Sequence, residues 1–183
     1  MVRLILVRHG ETNWNKQKRV QGALDIPLNR EGGEEARRIS SELSKFKIDV
    51  VYSSPVSCSC STAHEIATTR SLKVIKIDEL NEVNHGIWQG LLLKDIKKRY
   101  KKQYNTWKAY PTSVRPPKGE SIRVAYDRAV SAMHKIVDKH KDESICIVSG
   151  GIILSIIKCY LRNIDPEGVW KFIPGEPWEV FEL

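Results

Sequence analysis

The chain has 183 residues, 41% of them hydrophobic, and 30 Lys+Arg against 22 Asp+Glu give a formal charge of +8. This length fits one domain over residues 1–183 with one buried core, and the composition excludes a disordered or fibrous chain. The longest apolar runs are too short to span a bilayer, and no charged-then-apolar leader opens the sequence.

A basic excess suits nucleic acid, acidic membranes or small anions. Here one basic cluster, KDIKKRYKKQY (94–104), stands among charges of both signs, with no C2H2 finger and no aromatic RNP-type strand. No nucleic acid and no membrane is expected as a partner; the cluster is a solvated helix face or a guide for an anionic substrate. Cys58, Cys60, Cys146 and Cys159 form no CxxC pair, so the cysteines read as free thiols in a reducing, cytoplasmic compartment.

In chain order, VRLILV (2–7) is short and apolar on both faces, as a central parallel strand should be. GGEEARRISSELSKF (32–46) sets Ala36, Ile39, Leu43 and Phe46 at helical spacing. A second strand follows at 48–54, then a helix over 55–67 with Pro55 in its first turn, then a third strand at 72–77. One amphipathic helix is predicted over 91–107, and Ser121 caps another that runs to residue 140. SICIVS (144–149) is a buried strand ending at Gly-Gly before the helix IILSIIKCYL, and WEVFEL closes the chain as a strand. Strands alternating with helices predict an α/β fold, a mostly parallel central sheet with helices on both faces. Trp170, Phe172, Trp178 and Phe181 are expected to pack in the core.

Ligands of such sheets bind beyond the carboxyl ends of the strands. Arg8, His9, Gly10 and Glu11 stand at such an end, where Arg8 can hold an anion that His9 attacks.

LVRHGETNWN, QGALDIPLNREGGEEA (21–36), YSSP with TAHEIA, LNEVNHGIWQG (80–90), GES (119–121) and VSGG (148–151) together resemble the histidine phosphatase superfamily over nearly the whole chain. That superfamily includes the phosphoglycerate mutases. LNEVNHGIWQG is most similar to the metal-independent phosphoserine phosphatases of bacteria. The resemblance implies a phosphoglycerate-mutase-like fold, no cofactor or metal, and a small phosphorylated metabolite as substrate, L-phosphoserine first. It makes His9 the nucleophile and Glu82 the general acid. Arg8 and Asn15 then hold the phosphoryl oxygens, Gln21 and Gly22 border the substrate, and His85 faces the leaving group.

The chain departs from the family pattern twice. S-S-P-L-x-R-A becomes SSPVSCS, with Cys58 where an arginine clamps phosphate; V-S-H-G-G, read without gaps, becomes IVSGG, with Ser149 in the histidine's place. Each lost donor costs roughly 10²–10³ in rate. A basic residue from another segment can fill the gap, and Lys118 and Arg123 are the first to check. Cys58 itself lacks the Cys-x5-Arg spacing of a thiol nucleophile, and two missing phosphate holders argue against a mutase. Two functions compete: a phosphatase of impaired turnover, or the non-catalytic subunit of a heterodimer with an active paralogue. A dimer is expected in either case, and a chain stopping just after its last strand implies an uncovered pocket.

Overall fold

A computed structural model describes residues 1–173 and 175–183. Five strands form one sheet: β1 (Arg3–Arg8), β2 (Val50–Ser53), β3 (Val74–Lys76), β4 (Ser144–Ser149) and β5 (Trp178–Glu182), in the order β3-β2-β4-β1-β5. All pairs are parallel except β1 with β5, so the sheet is mostly parallel, as the alternating pattern predicts. The helices are α1 (Asn13–Lys16), α2 (Arg30–Glu42), α3 (Ser57–Thr68), α4 (Leu93–Arg99), α5 (Lys101–Ala109), α6 (Ile122–Lys139) and α7 (Gly151–Leu161). None is long and apolar enough to cross a membrane among the described residues.

The period-2 alternation of β1 sends Leu4 and Leu6 to one face and Ile5 and Val7 to the other. The first pair packs with Ile145, Ile147 and the apolar sides of α6 and α7; the second packs with Val51, Cys146, Val148 and side chains of α2 and α3. Helices therefore cover both faces, and β1 over Leu4–Val7 and β4 over Ile145–Val148 are apolar because neither face meets water there. Trp170 and Phe181 pack on the first cluster and Trp178 on the second. All four cysteines are buried and free.

Local signals explain most boundaries. Asn29 caps α2 by accepting the Gly32 N–H at 2.7 Å, and Ser121 caps α6 by accepting the Val124 N–H at 3.3 Å. Pro55 lies before the N-cap Val56 rather than in the first turn of α3. The predicted helix over 91–107 is two: Tyr100, at φ −119° and ψ 33°, breaks it, and the fold turns there so that Ile96 and Trp107 close on Trp88 in a third, smaller apolar cluster. A 3-10 turn at Pro166–Phe172, capped by Asp165, is an element that the sequence reading lacks.

The register fixes the site. β1 and β4 run side by side with Arg8 opposite Ser149, so His9 and Gly150 emerge together at the carboxyl edge of the sheet.

Candidate active site

His9 is locked from both sides. Its backbone N–H donates to the Ser149 carbonyl at 3.1 Å, and its Nδ1 lies 2.8 Å from the Gly10 carbonyl. A carbonyl only accepts, so Nδ1 carries the proton and Nε2 of the neutral ring keeps its lone pair. Burial lowers the imidazole pKa below its usual 6.5, outweighing the Gly10 hydrogen bond and the Glu82 charge, so the ring is held neutral. Gly10 cannot be replaced, because a Cβ there would stand 2.9 Å from the Gly32 carbonyl carbon of α2. Its N–H donates to Thr62 Oγ1 at 3.1 Å.

Glu82 follows a 3-10 turn at Asp78–Leu80 and reaches across to the start of α7. Its Oε1 accepts N–H bonds from Val83 at 2.7 Å and Ile153 at 3.2 Å, and its Oε2 accepts one from Ile152 at 2.9 Å. Burial pushes its carboxyl pKa up, opposed by the Val83 and Ile152 amides and by His9. Arg128 and Glu120, which sequence reasoning missed as site residues, hold this loop. Arg128 pairs with both Glu120 carboxylate oxygens at 2.7 and 3.0 Å and donates to the carbonyls of Glu79 at 2.6 Å and Glu82 at 3.3 Å. Glu120 also accepts the Asn84 N–H at 2.9 Å. The GES stretch thus positions the LNEVNHGIW stretch.

The site opens into a cavity of about 570 Å³. The resemblance-derived residues Arg8, His9, Asn15, Gln21, Gly22, Glu82 and His85 all line it. Asn15 spends its Oδ1 on the Thr12 N–H at 3.0 Å, which leaves its NH2 for an anion. Gln21 accepts from Thr12 Oγ1 at 2.8 Å and donates to Cys58 Sγ at 3.4 Å. Gly22 takes a left-handed φ of 57°, and a Cβ would stand 2.9 Å from Gln89 Cδ. Gln89, also missed from sequence, accepts the Ala23 N–H at 2.9 Å and so ties the Gln21–Gly22 loop to the loop of His85. His85 stands edge-on to Trp107 at 5.4 Å, and burial lowers its pKa to about 4, so it is neutral. With Trp88, Tyr104 and Ile96 it makes an apolar wall.

Positive charge on the lining is sparse. Arg8 is the one Lys or Arg among the described residues there, and it shares the lining with Glu11, Glu35 and Glu82. Two expectations need correction. Lys118, exposed on a turn with φ 60°, and Arg123, stacked over the Tyr126 ring at 5.9 Å, do not line the cavity. Ser149, expected in the phosphate pocket, does not line the cavity. It is fully buried and its Oγ donates to the Leu80 carbonyl at 2.6 Å, whereas Gly150 is the residue beside His9 whose missing Cβ faces Glu82. Cys58 is buried behind Gln21, and burial pushes its thiol pKa up, away from nucleophilic character.

The fold agrees with what the chain is similar to. It is 36% identical to phosphoserine phosphatase 1 of Hydrogenobacter thermophilus, over 94% of this chain and 82% of that one. It is 40% identical to phosphoglycerate mutase-like protein 4 of Arabidopsis thaliana, over 97% and 82%. Among solved structures, Bacillus stearothermophilus YhfR superposes with a TM-score of 0.93 at 26% identity, over 100% of this chain and 92% of that one. The family model for branch 1 of the histidine phosphatase superfamily matches residues 4–180, with His9 and Glu82 facing one cavity inside that span, and the chain belongs to that superfamily.

Proposed function

We propose that the chain, as one domain, hydrolyses a phosphomonoester through a phosphohistidine at His9 without a metal, L-phosphoserine being the substrate. Support comes first from His9: its Nδ1 proton sits on the Gly10 carbonyl, and Nε2 shares a cavity with Arg8 and Glu82. Nε2 attacks phosphorus as the P–O bond breaks, and the departing alkoxide takes its proton from Glu82. The Glu82 carboxylate then takes a proton from the water that attacks phosphorus as the P–Nε2 bond breaks, which releases inorganic phosphate and restores His9. Arg8 and Asn15 neutralise the equatorial oxygens. The name of the Hydrogenobacter relative supports phosphoserine, and Glu11 and Glu35 offer carboxylates for its ammonium.

Turnover by the lone chain is slow in this reading, because the cradle has one cation where the family pattern has more. The same observation favours a second reading, a non-catalytic subunit paired with an active paralogue in a cytosolic heterodimer, which Cys58 and Gly150 would suit. The two separate in one assay: phosphate release from L-phosphoserine by the purified chain alone in EDTA. Release well above that of His9→Ala is expected. Equal rates for the two proteins, restored only on adding a paralogue, would select the second reading.

A further inference from the structure

In the structure Glu82 is held as an anion is held at a helix start. The amides of Ile152 and Ile153 belong to the first turn of the eleven-residue α7, where the helix carries partial positive charge. Glu82 reaches them because position 150 has no side chain: a Cβ there would stand 2.7 Å from Glu82 Cδ and closer still to Oε2. Arg8 passes the same turn, its Cδ 3.8 Å from where a Cβ on Gly151 would be. Arg8, Gly151 and Ile152 line the same cavity, and the carboxylate of Glu82 occupies the α7 amides there.

We infer that Glu82 is an internal competitor for the substrate's phosphoryl group, and that substrate binding displaces its carboxylate from Ile152 and Ile153 and thereby protonates it. This rests on the reading of the cavity as a phosphoryl site. The displacement is a side-chain rotation, since Arg128 grips the Glu82 carbonyl and keeps the backbone in place. Once displaced, the carboxylate loses two N–H bonds that favour its charged form and lies beside a dianion in a desolvated cavity, so it takes one proton from solvent. No other bond changes. The acid needed to expel the alcohol is thus made by the binding event, and a chain whose position 150 is bare has a built-in brake on phosphate affinity.

The test is isothermal titration calorimetry of the full chain with tungstate, a phosphate-shaped oxyanion, at pH 7 in two buffers of different ionisation enthalpy. Wild type, Glu82→Ala, Glu82→Gln and Glu35→Gln are compared. Glu82→Ala is expected to bind tungstate about tenfold or more tighter than wild type, since two hydrogen bonds to a charged group no longer have to be given up. Wild type is expected to take up close to one proton on binding, and neither Glu82 variant to take up any beyond a small His9 contribution. Glu35→Gln removes a carboxylate charge from the same cavity, keeps a side-chain oxygen for the Glu11 N–H that Glu35 Oε2 accepts at 3.1 Å, and frees no α7 amide, so it measures the general charge effect. A Glu82→Ala gain no larger than that of Glu35→Gln, or wild-type binding with no proton uptake, overturns the inference while leaving the phosphoryl site intact. Failure of all four proteins to bind tungstate overturns the phosphoryl-site reading and the inference with it.

Discussion

Cys58→Arg combined with Gly150→His is expected to raise kcat for L-phosphoserine by about 10²–10³. One preorganised donor to developing charge is worth about that much, and two in one site do not multiply fully. The imidazole introduced at position 150 would stand beside His9, where the register places that position, and its Cβ would drive Glu82 off the α7 amides toward the leaving group. The guanidinium introduced at position 58 would extend from the first turn of α3, past the Gln21 amide that now donates to the thiol. Ser149→His is the informative contrast. That hydroxyl is fully buried against the Leu80 carbonyl, so an imidazole there overpacks the interior and lowers the melting temperature with no gain in rate. Phosphate-release kinetics with thermal unfolding on each variant checks this. A folded double variant with unchanged kcat would mean that the sparse cradle is not what limits the chain.

Glu82→Gln is expected to lower kcat for L-phosphoserine by about 10²–10⁴, the usual worth of a positioned acid, and to lower kcat for p-nitrophenyl phosphate much less. Serine leaves as a basic alkoxide that needs a proton, whereas nitrophenolate departs without one. The pH profile follows from the same two groups. His9 must be unprotonated, and burial sets its pKa below the usual 6.5, so activity rises through that lowered value as pH increases. Glu82 must be protonated, and burial sets its pKa above the usual 4.5, so activity falls as pH passes that raised value. Glu82→Gln should abolish the falling limb with phosphoserine, and p-nitrophenyl phosphate should show little of it in wild type. A falling limb that persists in Glu82→Gln would assign the acid to another group.

Much of this was legible in the sequence because the signals are local or periodic. The two-sided apolarity of 2–7 and 144–149 marks buried parallel strands, and Ser121 announces its helix by capping. The Asp165-Pro166 start of the 3-10 turn carried a comparable signal, an aspartate cap followed by proline, that went unread. Tyr100 carried none: the basic amphipathic pattern continues through it without Gly or Pro, and only the closure of Ile96 and Trp107 on Trp88 bends the chain there. In the site, His9 and Glu82, the proposed nucleophile and acid, each sit in a contiguous motif and line the same cavity. That the Ser149 side chain turns away from the cavity was not legible, because V-S-G-G can be matched to V-S-H-G-G in two ways that differ by one residue, and the contact of Ser149 Oγ with the Leu80 carbonyl depends on a distant segment. Arg128 lay hidden for another reason. It is one charge among many on α6, and the carbonyls it holds, those of Glu79 and Glu82, come from a distant segment, while Glu120 lies just ahead of α6.

The central claim is that His9 carries the phosphoryl group, and intact mass spectrometry after rapid acid-free quenching tests it directly. The chain incubated with p-nitrophenyl phosphate in EDTA is expected to gain the mass of one phosphoryl group. The adduct should be stable to base, lost on mild acid, map to the peptide containing His9, and be absent from His9→Ala. An adduct on any other residue, or phosphate release at the wild-type rate by His9→Ala, would contradict it.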